Sequence, residues 1–156
     1  AIDSLGLMIY DKLDGAFRID VDWIQAYRKD AVVSASRYMG NKRPLIVFAP
    51  RSDDARLITQ LAVIRNTRRK FDARDMELIV VTDDGTARAE QRPLSKSEVA
   101  KLRRQYSVSA DKFAVRLVGK DGGVKRSSDA IVDIEGIYAL IDGMPMRRQE
   151  MRERGL

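Results

Sequence analysis

An α/β fold in three layers, with a mixed four-stranded sheet between helices, is predicted for this 156-residue chain by three observations. Two short apolar runs, Leu45 to Ala49 and Leu78 to Val81, have strand length and no alternation, as strands buried on both faces do. Segments of helical period lie between and after them. The turn Lys120-Asp121-Gly122-Gly123 joins two further strands too closely for anything but an antiparallel hairpin. The length suits one domain able to bury its own core.

The chain divides near Asn41-Lys42-Arg43-Pro44. Leu45-Ile46-Val47-Phe48-Ala49 is the first strand. A helix follows, with Ser52 as its expected N-cap and Asp53 and Asp54 in the first turn, where the dipole favours acids. Leu57, Leu61, Ile64 and Phe71 mark its buried stripe, and Arg65, Arg68, Arg69 and Lys70 lie mostly off it. Glu77-Leu78-Ile79-Val80-Val81 is the second strand, ended by the turn Asp83-Asp84-Gly85. Ser95-Lys96-Ser97-Glu98 is a capping box, with Leu94 placed to staple against Val99. Val99, Leu102 and Tyr106 form the stripe of that second helix. Phe113 to Val118 is the third strand, and Val124-Lys125-Arg126 is the short return strand. Asp133 caps a last helix with apolar face Ile134, Ile137, Tyr138 and Ile141, which Gly143 and Pro145 stop.

The order β-α-β-α-β-β-α places the first two strands parallel through a right-handed crossover. With the closing hairpin, this is the layout of a thioredoxin-like fold. Residues 1–42 form an N-terminal extension, and residues 43–156 form the thioredoxin-like domain with a C-terminal tail. The extension carries one helix, beginning near Asp22, with Trp23, Tyr27, Ala31 and Tyr38 roughly on one face and Gly40 as its stop. A segment this aromatic must pack on its own domain or on a second copy.

Apolar residues make up 44% of the chain and charged residues 33%, as in ordinary globular proteins. The sequence has no histidine and no cysteine. Thiol nucleophiles, disulfides, Cys/His zinc sites, Ser-His-Asp triads and histidine acid/base catalysis are therefore excluded. No apolar run is long enough to form a membrane-spanning helix. Ala1 suits the residue following a removed signal peptide, which gives a secreted or periplasmic expectation.

Three segments carry a resemblance to a known family. They are Arg43-Pro44-Leu45-Ile46-Val47-Phe48-Ala49-Pro50, the stretch from Leu117 to Lys125 through Gly119-Lys120-Asp121-Gly122-Gly123, and the stretch from Leu140 to Met151. Over about residues 43–152 the chain resembles the domain of unknown function found in bacterial exported proteins and in equarin-type and sushi-repeat extracellular matrix proteins. That family is regarded as peroxiredoxin-like within the thioredoxin fold. The resemblance implies an exported protein with this fold and no established activity.

In thioredoxin and peroxiredoxin folds the reactive thiol sits where the first helix begins, because the dipole lowers its pKa there. Here that place reads Pro50-Arg51-Ser52-Asp53-Asp54, which holds no thiol. Ser52 has no histidine to activate it, and Asp53 with Asp54 point about 100° apart on a helix, so they converge poorly as an acid/base pair. The acidic turns Asp20-x-Asp22 and Asp83-Asp84-Gly85 lack EF-hand spacing, and no metal or cofactor is expected. The chain is thus expected to be a non-enzymatic, cysteine-free domain that binds a protein partner or self-associates as a homo-oligomer. Trp23, Tyr27, Tyr38, Met144, Met146, Arg147 and Arg148 are the expected contact residues. The alternative is a polyanion, an acidic polysaccharide or nucleic acid, held by Arg65, Arg68, Arg69, Lys70, Lys101, Arg103 and Arg104; the formal charge of +6 makes it possible.

Overall fold

The computed structural model describes Tyr38 and residues 40–155. Strand β1 (Arg43–Phe48) lies inside the sheet, parallel to β2 (Met76–Val81) on one side and antiparallel to β5 (Ala114–Val118) on the other. This position explains its unbroken apolar sequence. Leu45 and Val47 face one core, Ile46 and Phe48 the other, and all four are fully buried. Strand β6 (Val124–Ser128) returns antiparallel to β5 through the glycine turn, where Gly122 takes a φ of +80° that other residues rarely adopt. The expected parallel crossover and hairpin are both present.

Helices cover both faces of the sheet. On one face Leu57 and Ile64 of α1 (Ala55–Asn66) and Phe71 of α2 (Arg68–Asp72) pack with Ile134, Ile137, Tyr138 and Ile141 of α4 (Ile134–Asp142). The other core is covered by Val99, Leu102 and Tyr106 of α3 (Lys96–Tyr106), and Tyr38 is buried in it. The capping box of α3 forms as the sequence predicts, with Ser95 and Glu98 bonding each other's backbone N–H. Asp133 caps α4 through the N–H groups of Glu135 and Gly136.

The structure differs from expectation in four places. The cap of α1 is Asp54, not Ser52, because the Asp54 carboxylate accepts the Arg56 N–H at 2.9 Å; the helix therefore starts two residues later. The single helix expected between the first two strands is interrupted at Thr67, whose hydroxyl bonds back to the Val63 carbonyl at 2.9 Å and meets the Tyr138 hydroxyl at 2.8 Å. A small hairpin, β3 (Arg88–Ala89) and β4 (Arg92–Pro93), extends the sheet to six strands in the order β4-β3-β2-β1-β5-β6. Strands of two residues carry no readable alternation. Its turn is pinned by Glu90, at a φ of +50°, whose carboxylate takes the Leu78 N–H at 3.0 Å and lies 3.2 Å from Arg68. Lastly, the C-terminal tail is a regular helix, α5 (Pro145–Arg154), with Pro145 at its first turn.

Helix α5 is fastened by buried charge. Glu150 receives Arg43 through both guanidinium arms, at 2.8 and 3.2 Å, and Lys120 at 2.8 Å. Lys120 also meets Asp75 at 2.9 Å, and Arg154 reaches the same carboxylate at 2.9 Å. Arg43 and Lys120 are both buried. Among the described residues, no helix is long and apolar enough to cross a membrane.

Burial opposes ionisation of Glu150, but hydrogen bonds from Arg43 and Lys120 and their charge outweigh it, holding the carboxyl at about 2 against an ordinary 4.5. The folded-state value lies below the unfolded one. The stabilisation is therefore complete above pH 4.5 and drains away as pH falls towards 2. Glu150→Gln should cost about 3 kcal/mol at neutral pH, since it leaves buried cations unmatched, and should flatten the acid limb of the stability profile. Urea denaturation of both proteins across that range checks the magnitude and the sign.

Candidate functional site

The end of β1 and the start of α1 form the place where this fold would carry a reactive group. The C-terminal ends of β1 and β2 lie side by side, so residues 49–54 face the turn after Val81. Ala49 continues the ladder by donating its N–H to the Val81 carbonyl at 3.0 Å, and Asp83 donates to the Pro50 carbonyl at 3.3 Å.

Arg103 closes this corner from α3. One arm donates to the Ala49 carbonyl at 2.8 Å, the other to the Ser109 carbonyl at 2.8 Å, and the guanidinium is ion-paired with Asp83. Its carbon stands 5.8 Å from the Phe48 ring centre. Although charged, Arg103 is buried, and its Nε has no hydrogen-bond partner among the described residues.

The carboxylates here are each engaged. Asp84 accepts the Ser52 N–H at 2.6 Å and the Thr86 hydroxyl at 2.6 Å. Those bonds, Thr86 first, hold its carboxyl far below the usual range. Asp53 is lowered by its hydrogen bond to Arg51 and Asp54 by its bond to Arg56, so both stay ionised at neutral pH. Each has its own arginine, and neither shares a proton with the other. Asp83 and Asp84 brace the loop, and no group of acids able to hold a metal occurs among the described residues. Asp20 and Asp22 lie outside those residues. The corner is thus a polar brace without a thiol.

The predicted contact residues fall in different places. Trp23 and Tyr27 lie outside the described residues. Tyr38 is buried among Ile46, Phe48 and Leu102 of its own domain. Arg147 is buried as well, 3.5 Å from Asp142 and from Glu150. Met144 packs half-buried on the α1/α4 core. Met146 and Arg148 are exposed on α5.

The basic set divides likewise. Arg68 pairs with Asp72 and Glu90, Lys70 with Glu135, and Arg103 is buried in the brace. Arg65, Arg69, Lys101 and Arg104 are exposed, with no ion-pair partner among the described residues. The first two lie on the α1/α2 layer and the last two on α3, across the sheet.

Sequence reasoning missed the role of Arg103. A signal was present: Val99, Arg103 and Tyr106 are spaced four and three apart, so Arg103 falls on the buried stripe. A charge there needs partners, and the end of β1 supplies them.

The chain matches the family described as a domain of unknown function (DUF4174) over residues 34–150, and it belongs to that family. Coiled-coil domain-containing protein 80 of Danio rerio is 29% identical over 132 residues, a match covering 74% of this chain and 15% of that protein. The chain therefore spans only a small part of that relative. Solved peroxiredoxins share the fold. The reduced 2-Cys peroxiredoxin of Plasmodium vivax gives a TM-score of 0.56 at 16% identity, covering 73% of this chain and 83% of that one. A Plasmodium yoelii peroxiredoxin gives 0.57 at 20% identity, covering 80% and 83%. The fold is thus thioredoxin-like of the peroxiredoxin kind, in a chain with no cysteine for peroxidase chemistry.

Arg103→Gln should destabilise the domain by about 3 kcal/mol, because two carbonyls and Asp83 lose a buried partner. Thermal denaturation with amide exchange at residues 49–54 checks it. A thiol placed by Ser52→Cys should titrate no lower than about 8, since Asp53, Asp54 and Asp84 offset the helix dipole. Iodoacetamide reaction rates against pH measure this, and a value near 6 would contradict the electrostatic balance described.

Proposed function

We propose that this DUF4174 domain works by binding, and that it binds proteins, a second copy of itself among them. The observation that carries this reading is the internally paired brace around residues 49–54. The corner where a peroxiredoxin-like fold would hold its thiol has its carboxylates and its arginine committed to one another. A scaffold retained without that chemistry has its surface left to offer.

Several apolar side chains support a protein contact. Met146 is 48% exposed, Leu140 40% and Ile131 42%, and the last two line an open groove between α4 and the edge strand β6. Met146 and Arg148 remain in the proposed contact set, and Trp23 and Tyr27 complete it.

A second reading, binding of a polyanion, is supported by the exposed unpaired Arg65, Arg69, Lys101 and Arg104. Their division between opposite faces of the sheet weakens it, because one stretch of polymer cannot lie along both.

Light scattering over a concentration series should show a mass that rises above the monomer, and a strict monomer at high concentration would remove self-association. On a heparin-type resin the protein should elute at low salt. Retention that falls steeply with salt would instead favour the polyanion.

A further inference from the structure

A second open groove, of about 410 Å³, runs along the sheet on the α1 side, between α1 and the short strand β3. Its floor holds Leu61 and Leu78, both half-buried against the α1/α4 core. Its walls are cationic. Arg65 stands on α1 and Arg88 on β3, both exposed and neither with an ion-pair partner among the described residues. The one acid in the lining, Glu90, is already engaged by Arg68 and by the Leu78 N–H. The groove therefore keeps uncompensated positive charge on both sides of an apolar strip.

That arrangement selects among ligands. Two guanidiniums on separate elements call for two anionic groups set apart, and the strip between them calls for an apolar group. A sulfated or phosphorylated polymer supplies the first without the second. A fatty acid supplies the second with a single carboxylate. A peptide in which acidic residues flank a large apolar side chain supplies both. We propose that this groove takes an acidic peptide segment of a partner protein, with carboxylates on Arg65 and Arg88 and an apolar side chain on Leu61 and Leu78. The proposal rests on the protein-binding reading above and names the chemistry of one partner.

The test uses the full chain and a short fluorescein-labelled peptide of alternating glutamate and leucine, read by anisotropy. A second peptide replaces leucine with serine; a heparin oligosaccharide and dodecanoate serve as competitors. The first peptide should bind, and the serine peptide should bind about tenfold more weakly. Arg65→Glu with Arg88→Glu should weaken binding of the first peptide by at least about tenfold, while Lys101→Glu with Arg104→Glu, on the other face, should change it less than about twofold. All four positions are exposed, and circular dichroism verifies that the variants fold.

Equal loss from both charge pairs, or equal affinity for the two peptides, would overturn the proposal in favour of unspecific electrostatics. So would no effect of the Arg65/Arg88 pair, no binding of the first peptide, or its displacement by the oligosaccharide or by dodecanoate at concentrations well below those of unlabelled peptide. The outcome is separable from the broader reading. A self-associating protein that ignores the peptide keeps protein binding and loses this groove, whereas a strict monomer that binds the peptide loses self-association and keeps both the groove and protein binding.

Discussion

The constraint on which this domain turns is the buried guanidinium of Arg43. It heads β1, a strand with neighbours on both sides and a core on each face, and it is only 1% exposed. A charge so placed must find matched partners or cost several kcal/mol. Nothing local supplies them. Glu150 arrives from the far end of the chain, and Lys120, shared between Glu150 and Asp75, arrives from the β5–β6 turn. One ionic cluster thus fixes the tail, the hairpin and the turn before β2 to the base of the sheet. The C-terminal segment is a docked helix for this reason, and Arg147 is withdrawn into the fold with it.

The opposite end of β1 repeats the arrangement with Arg103. There the guanidinium satisfies the Ala49 carbonyl just past the strand and neutralises Asp83. The strand is therefore held by a buried arginine at each end, one from its own sequence and one from α3. The consequences differ. At the base the cluster completes the fold. At the top it fills the corner in which a thiol would require an uncompensated positive field, and it spends that field on a carboxylate.

The sequence made the sheet legible wherever burial left a pattern. Strands β1 and β2 showed as apolar runs because both their faces are covered, and α3 showed through its capping box and stripe. Elements that depend on single side chains reaching across the fold did not show. The break at Thr67 needs the Tyr138 hydroxyl, and the β3–β4 hairpin needs Glu90 to reach Leu78. The shift of the α1 cap from Ser52 to Asp54 has the same character, since Ser52 gives its N–H to Asp84, thirty-two positions away. The candidate site was legible as an absence, from the missing cysteine and histidine. Its positive content, the Arg103 brace, was visible only as a charge on a stripe that should have been apolar.

Tertiary pairing also changes what the positive charge of the chain means. A formal +6 suggests a diffuse basic surface when read from composition. In the fold much of that charge is internal or answered. Arg43, Arg103, Lys120 and Arg147 are buried, and Arg68, Lys70, Arg74, Arg92 and Arg116 face carboxylates. Answered charges on the surface contribute little to steering beyond about 8–10 Å at physiological salt. What remains is local, and its value depends on what surrounds it. Arg69, Lys101 and Arg104 are outside the two open grooves described, whereas Arg65 and Arg88 share a groove with half-buried Leu61 and Leu78. A ligand that lays an apolar group on those leucines would displace water beside the guanidiniums, so its carboxylates would meet a stronger field than at an isolated surface arginine. The proposed peptide recognition thus rests on the coincidence of charge and apolar surface, which net charge alone could not locate.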